Sequence, residues 1–411
     1  MNTTGLLKLC LFLTLFSHLG AAAGPPAKKR AWITIGDAAF RQAKSFAPDM
    51  VSIATRQLSS GDTSEKVNAV VMDEGRLTAV AGAIHQRIGQ CGGFMYHATE
   101  AEARAALAWR QVEPALRSYV ISQRELVEPM LANMQEKNIE ATVLTLSAFI
   151  NRYYASRSGV DASNWLLSAW RELGAGREDI SVAQVAHKGY PQQSVTLTIA
   201  GTDLAYETVV VGAHLDSILG FGMSDTARAP GADDDASGVA SMTEALRAII
   251  ETGYRPRRTI QVIAYAAEEV GLRGSEDIAR QFKQAGRQVA GVLQLDMTNY
   301  KGAANDIYLF TDYTNAQQNA FIAQLASVYL PGLKVGYDKC GYGCSDHASW
   351  HAQGYPASMP FESSFARDNP YIHTARDTFA NSGGQTAHAL KFARLAAAYM
   401  VELSGELRRN R

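Results

Sequence analysis

The 411-residue chain carries 39 Lys and Arg against 40 Asp and Glu, and 47% of its residues are hydrophobic. That length and apolar content supply one large core and a smaller one beside it. The net charge of −1 offers no basic field for nucleic acid, and no internal repeat or low-complexity tract interrupts the chain.

Residues 1–23, MNTTGLLKLCLFLTLFSHLGAAA, place Lys8 ahead of an apolar run from Leu9 to Phe16 and end in small residues. This is the layout of a secretory signal peptide cut near Ala23, and the run is too short to span a bilayer. The expectation is a secreted protein, extracellular or periplasmic, with no membrane attachment after cleavage. Cys340 and Cys344 in CGYGC then read as a disulfide. The loop is short, so its use is to shape a turn rather than to save chain entropy. Cys10 leaves with the signal, and Cys91 is left over.

Residues 24–117 form a small α/β block. VNAVVM (67–72) and GFMYH (93–97) read as strands, and LTAVAGAIHQRIG (77–89) as a helix. TEAEARAALAWRQVEPALRSY follows as an alanine-rich helix capped at Thr99. The block holds no cluster of catalytic side chains. Between a signal and a larger domain it reads as a propeptide; the other reading is an N-terminal domain that stays attached.

Residues 118–411 form a larger α/β unit. Helical periodicity marks 142–154, 162–174, 236–253, 316–330 and 385–407, while apolar runs mark strands at 194–201, 207–217, 257–269, 290–297 and 306–312. Several strands are apolar almost throughout. The pattern predicts an α/β fold: a mostly parallel, mixed sheet covered by helices on both faces. Such sheets bind ligands at the carboxyl ends of their strands.

The chemistry-bearing residues gather at those ends. VVVGAHLDS closes with His214 and Asp216, VIAYAAEEVG with Glu268 and Glu269, and VLQLDM with Asp296. GADDDASG puts Asp233, Asp234 and Asp235 in a turn before a helix, and HTARDT adds His373. Each feature alone is an ordinary polar rim or solvated edge. Together they form a mixed nitrogen and oxygen donor set suited to zinc, and a carboxylate shared between two ions fits a two-metal site. A carboxylate beside a histidine can hold one ring nitrogen and aim the other at a metal.

Taken in order and with their gaps, AHLDS, APGADDDASG, AAEEVGLRGS, LDM, CGYGCSDHASW and IHTARDT resemble the bacterial leucyl aminopeptidases with two co-catalytic zinc ions. CGGFMYH also resembles a stretch of that family's propeptide. The resemblance implies that His214 and Asp296 hold one zinc, Glu269 and His373 the other, and that Asp234 bridges both. Glu268 would be the general base and Asp216 would orient His214. Met297, the Cys340–Cys344 turn, Tyr342, Met359, Phe361, Phe365 and Ile372 match the apolar pocket for the first substrate side chain, which Phe310 narrows. The Tyr342 hydroxyl would steady a developing oxyanion. The implied substrates are peptides with a free N-terminus, cut by a monomer whose propeptide acts in cis and is removed between about residues 110 and 125.

Glutaminyl cyclases share this architecture with a single zinc and are the alternative, as are related dipeptidases or carboxypeptidases and a non-catalytic binding module. The complete five-ligand set and the apolar pocket argue against the cyclase, the intact ligands and base argue against the binding module, and the dipeptidase or carboxypeptidase reading stays open. His347 and His351 are four apart, a zinc-compatible spacing, but the ligand set is complete without them. His388 reads as a packing or solvent-facing residue in the last helix. His85, His97 and His187 have no ligand-like neighbours in sequence, and RPRRT (255–259) is a short basic connector.

Overall fold

The computed structural model describes Met1 and residues 29–60, 63–88, 93–108 and 119–405. The signal segment with Cys10, Cys91, and residues 109–118, where the propeptide boundary is expected, lie outside the described residues. So does the later part of the alanine-rich stretch read as a helix from Thr99.

The N-terminal lobe contains β1 (Arg30–Gly36), α1 (Asp37–Ala43), β2 (Val51–Ser60), β3 (Thr63–Asp73), α2 (Leu77–Ile88), β4 (Phe94–His97) and α3 (Glu100–Ala108). Its antiparallel sheet runs β2-β3-β1-β4. Thr99 accepts the Glu102 N–H and so begins α3 as the sequence predicts. Strand β2 is not marked in the sequence: its side chains from Val51 to Gln57 are all exposed or half-buried. Such a strand carries little apolar signal.

The larger unit begins with α4 (Arg124–Ala132), α5 (Glu136–Ala148) and α6 (Arg157–Leu173). There follow β5 (Ile180–Val185), β6 (Ser194–Ile199), β7 (Leu204–His214), α7 (Ala236–Glu251), β8 (Arg258–Tyr265), α8 (Arg273–Gln284) and β9 (Gln288–Gln294). The chain closes with β10 (Ile307–Phe310), α9 (Ala316–Tyr329), β11 (Val335–Asp338), α10 (His347–Ala352), β12 (Ala357–Ser358), β13 (Pro360–Phe361) and α11 (Ala387–Ser404).

The main sheet runs β12-β9-β7-β8-β6-β5. β12, β9, β7 and β8 are parallel, whereas β6 is antiparallel to β8 and to β5. This is the predicted mixed, mostly parallel sheet. Both faces are covered: Val209, Val211 and Ala213 of β7 join the core with α7 and α11, and Val210 packs with Ile278 and Phe282 of α8 and Trp350 of α10. Period-two alternation puts consecutive valines on opposite faces, so a strand buried on both must be apolar throughout.

Two expectations are corrected. The helix predicted over 142–154 stops at Ala148, where Phe149 turns to extended backbone (φ −54°, ψ 143°). Beyond it the Asn151 amide donates to the carbonyls of Ser224 and Ala227, and the Arg152 guanidinium is drawn inward to loop carbonyls. Polar side chains that satisfy other segments' backbone cannot continue the helix pattern. The strand predicted over 306–312 exists as β10, but it belongs to a separate three-stranded sheet with β11 and β13.

Candidate metal centre

β7 ends at His214, Glu268 and Glu269 follow the end of β8, Asp296 follows β9, and Asp234 precedes α7. The loop before α11 brings His373. All of these side chains are buried. Asp234 divides its carboxylate between two imidazoles: Oδ1 lies 2.9 Å from His214 Nε2, and Oδ2 lies 3.1 Å from His373 Nε2. Asp296 Oδ1 stands 3.5 Å from His214 Nε2, and Glu269 Oε2 stands 2.7 Å from His373 Nε2. The site therefore has two histidine-centred halves with Asp234 between them.

His214 Nδ1 lies 3.1 Å from the Asp216 carbonyl oxygen and 3.6 Å from its Oδ1. The Asp216 carboxylate accepts the N–H groups of Glu268 (2.9 Å) and Glu269 (3.2 Å). It thus positions the glutamate pair while its carbonyl meets the imidazole. Three non-glycine residues here have left-handed backbone: Ala267 (φ 58°), Met297 (φ 57°) and His373 (φ 54°). His373 is itself a candidate ligand, Met297 follows Asp296 and Ala267 precedes Glu268, and conformations of this kind gather at functional sites.

The outer acids of the triplet have structural partners. Asp235 caps α7 through the Gly238 N–H (2.8 Å) and also accepts the N–H groups of Met297 (3.1 Å) and His214 (3.0 Å). Asp233 accepts from the Asn299 N–H and the Asn369 amide. Asp377, which the sequence reading did not single out, accepts the N–H groups of both Asp233 and Asp234 at 3.1 Å. Ser345 donates to Asp296 Oδ2. The motifs HTARDT and CGYGCSDHASW contain Asp377 and Ser345, so their presence was the available signal. Buried Arg152 gave none: its guanidinium donates to the carbonyls of Leu215, Pro230 and Gly231, behind the loops that carry His214 and Asp234.

The donor set fits cations. Both Glu268 carboxylate oxygens are buried with no hydrogen-bond partner among the described residues, an arrangement that is expensive unless positive charge offsets it. Burial pushes Glu268 well above the usual carboxylate range and Glu269 up to about 7, with neighbouring Asp296 and Asp234 respectively adding repulsion. Burial works against charged His373, but Glu269 and Asp234 outweigh it and hold the ring up at about 10. In Asp234 too, burial is outweighed, here by His214 and His373, and the carboxyl is held low. Donor atoms of His214, Asp234 and Glu269 lie within 4.8 Å of one another, as do those of His214, Asp235 and Asp296. In the second group the Asp235 oxygens already accept N–H groups, which leaves His214 and Asp296 as the open donors.

Met297, Phe310, Cys340, Tyr342, Cys344, Met359, Phe361 and Ile372 form one buried cluster beside this centre, with Phe365 packed against it. The structure includes the Cys340–Cys344 disulfide. Phe310 and Phe361 are 4.8 Å apart between ring centres, and Tyr342 meets Phe365 edge-on at 6.1 Å.

The remaining histidines separate. His97 lies between Thr34 and Glu276, His187 between Asp277 and Ser194, and His388 meets the Glu362 carbonyl. His347 and His351 are buried on α10 and join neither donor group. His85, which has no partner near in sequence, lies with its ring 4.7 Å from that of His373. Burial, and then His373, push it down to about 3.

The profile described as "Peptidase family M28" matches residues 194–400, just over half of the 411-residue chain. The chain belongs to peptidase family M28. It is an enzyme, a hydrolase of peptide bonds. Among curated relatives of this M28 peptidase, a "Probable leucine aminopeptidase" of Trichophyton verrucosum is 37% identical over 289 residues, 68% of this chain and 74% of the relative. "Leucine aminopeptidase 1" of Arthroderma otae is 36% identical over 300 residues, 69% and 78% of the two chains. Among solved structures, the Legionella pneumophila LapA aminopeptidase is 30% identical with a TM-score of 0.78, over 93% of this chain and all of that one. Legionella LapB is 29% identical with a TM-score of 0.76, over 92% of this chain. The M28 fold is thus shared, and the structural likeness extends into the N-terminal lobe.

Proposed function

We propose that this M28 peptidase is a two-zinc aminopeptidase, exported by its signal segment, that removes apolar N-terminal residues, leucine foremost, from peptides. The carrying observation is the Asp234 carboxylate, with one oxygen on His214 and the other on His373. In this reading His214 and Asp296 hold one zinc, Glu269 and His373 the other, and Asp234 both. When bound, the zinc ions supply Lewis acidity and lower the pKa of water.

The protein's own groups carry the remaining work. Glu268 is the general base: it takes a proton from the attacking water onto a carboxylate oxygen and passes it to the departing amide nitrogen. A positioned base of this kind contributes about 10²–10⁴-fold in rate. Nearby cations bring its raised pKa back toward the ionised range. Asp216 holds the backbone of Glu268 and Glu269, so that adjacent side chains diverge to different tasks. The apolar cluster around Met297, Met359, Phe361, Phe365 and Ile372 receives the first side chain, and the Cys340–Cys344 turn shapes its wall. The Tyr342 hydroxyl steadies negative charge on the scissile carbonyl oxygen. The names of the fungal and Legionella relatives support the aminopeptidase reading.

The N-terminal lobe acts as a propeptide in cis. Ile33, Val70, Val80, Ile84 and Phe94 share one core with Ile218, Ala267 and Val270 of the catalytic unit, close to Glu268. Zinc content measured beside hydrolysis of leucine p-nitroanilide tests the proposal, with Glu268→Gln as control. Two zinc ions and activity abolished by the substitution are expected. One zinc with cyclisation of an N-terminal glutamine would overturn it.

A further inference from the structure

Helix α2 of the N-terminal lobe is seated on the loop that leads from His214 toward the aspartate triplet. Gly82 lies against Gly220 so closely that a Cβ would stand 1.7 Å from the Gly220 carbonyl oxygen. The Gly220 N–H in turn donates to the His373 carbonyl at 2.9 Å. Three residues along, on the same helix face, His85 brings its ring to 4.7 Å from that of His373. Its Nδ1 is buried and has no hydrogen-bond partner among the described residues. A backbone bond from the Tyr96 N–H to the Gly271 carbonyl, 2.9 Å, pins the same lobe to the turn after Glu268 and Glu269.

An imidazole with an unpartnered buried nitrogen, held beside a half-site of His and carboxylates, has the chemistry of one more ligand. We propose that His85 is an inhibitory ligand supplied in cis: the N-terminal lobe delivers its imidazole to the Asp234, Glu269 and His373 half-site and occupies the position a substrate needs. This rests on the metal reading above and assigns the lobe's restraint to one side chain. Gly82 permits the approach, because any larger residue lifts α2 from Gly220. Removal of the lobe removes the ligand, which couples processing to an open site.

The test uses the full-length chain loaded with Co²⁺, followed by visible absorption and by the rate at which a chelator extracts the metal. His85→Ala is expected to change the cobalt spectrum and to speed extraction by at least the ~10-fold that loss of an outer-shell partner costs. Added imidazole should restore the original spectrum. Gly82→Val, which displaces α2 while keeping His85, should shift the spectrum in the same direction. Unchanged spectra and extraction rates in His85→Ala, or a change that imidazole does not reverse, overturns the inference while leaving the metal centre intact. A chain that takes up no cobalt overturns the metal reading and this inference together.

Discussion

Asp235 is the carboxylate through which three of the ligand-bearing segments meet, those of His214, Asp234 and Asp296. Its Oδ1 accepts the N–H groups of Gly238 and Met297, and its Oδ2 accepts the His214 N–H. In Asp235→Asn the side-chain oxygen can keep the first two bonds. The amide nitrogen then faces the His214 N–H, donor against donor. One charge-assisted bond is lost, worth about 1.5–3 kcal/mol, and a buried donor is left unsatisfied at about 1–3 kcal/mol. Removal of a buried carboxylate that burial already pushes well above its usual range offsets part of this. The net expectation is a loss of about 2–4 kcal/mol, a large fraction of a typical domain stability. Asp235→Ala orphans all three donors and should cost more. Urea unfolding of the zinc-depleted protein reads the stability change, and zinc competition against a chelator reads the displacement of His214, expected at about 10–100-fold in affinity. Unchanged stability and affinity in both variants would refute the reasoning.

Gly212 on β7 lies where a Cβ would stand 2.3 Å from the Tyr265 ring and 2.8 Å from Gln294 Oε1, so Gly212→Ala should destabilise by about 1–3 kcal/mol, read by thermal unfolding. The Cys340–Cys344 bridge closes a loop of sequence separation 4; the double Ser variant should lose only roughly 2 kcal/mol of stability but show a raised KM for apolar N-terminal residues. His373, held up at about 10 in the metal-free protein by Glu269 and Asp234 against the effect of burial, is cationic at neutral pH. Zinc binding must displace that proton, so affinity should weaken as pH falls, and calorimetry in buffers of different ionisation enthalpy should register proton release.

The sheet was legible because its central strands are buried on both faces: the VVV of β7 divides between two cores. Residues that carry chemistry stood at strand ends, where a parallel sheet gathers them. Other features needed the third dimension. Helical spacing runs on past Ala148 although the helix stops there, and the tertiary bonds that Arg152 makes to carbonyls distant in sequence leave no mark in that spacing. Within the acid triplet the resemblance pointed to Asp234; what it could not supply is the set of backbone donors that surrounds Asp235 and gives that residue its different work. Strand β2 was silent because its outer position exposes it. His85 and Asp377 gained significance only through contact with His373 and with the backbone of the triplet, and periodicity says nothing about such pairings.

The central claim, that two zinc ions share Asp234, is tested most directly by counting zinc in the full chain and in two variants checked for folding by circular dichroism. Two ions in the unsubstituted chain, loss of both together in Asp234→Asn, and a weakening chiefly of one in His214→Ala are expected. An Asp234→Asn protein that folds and still holds both ions would contradict the shared-carboxylate account.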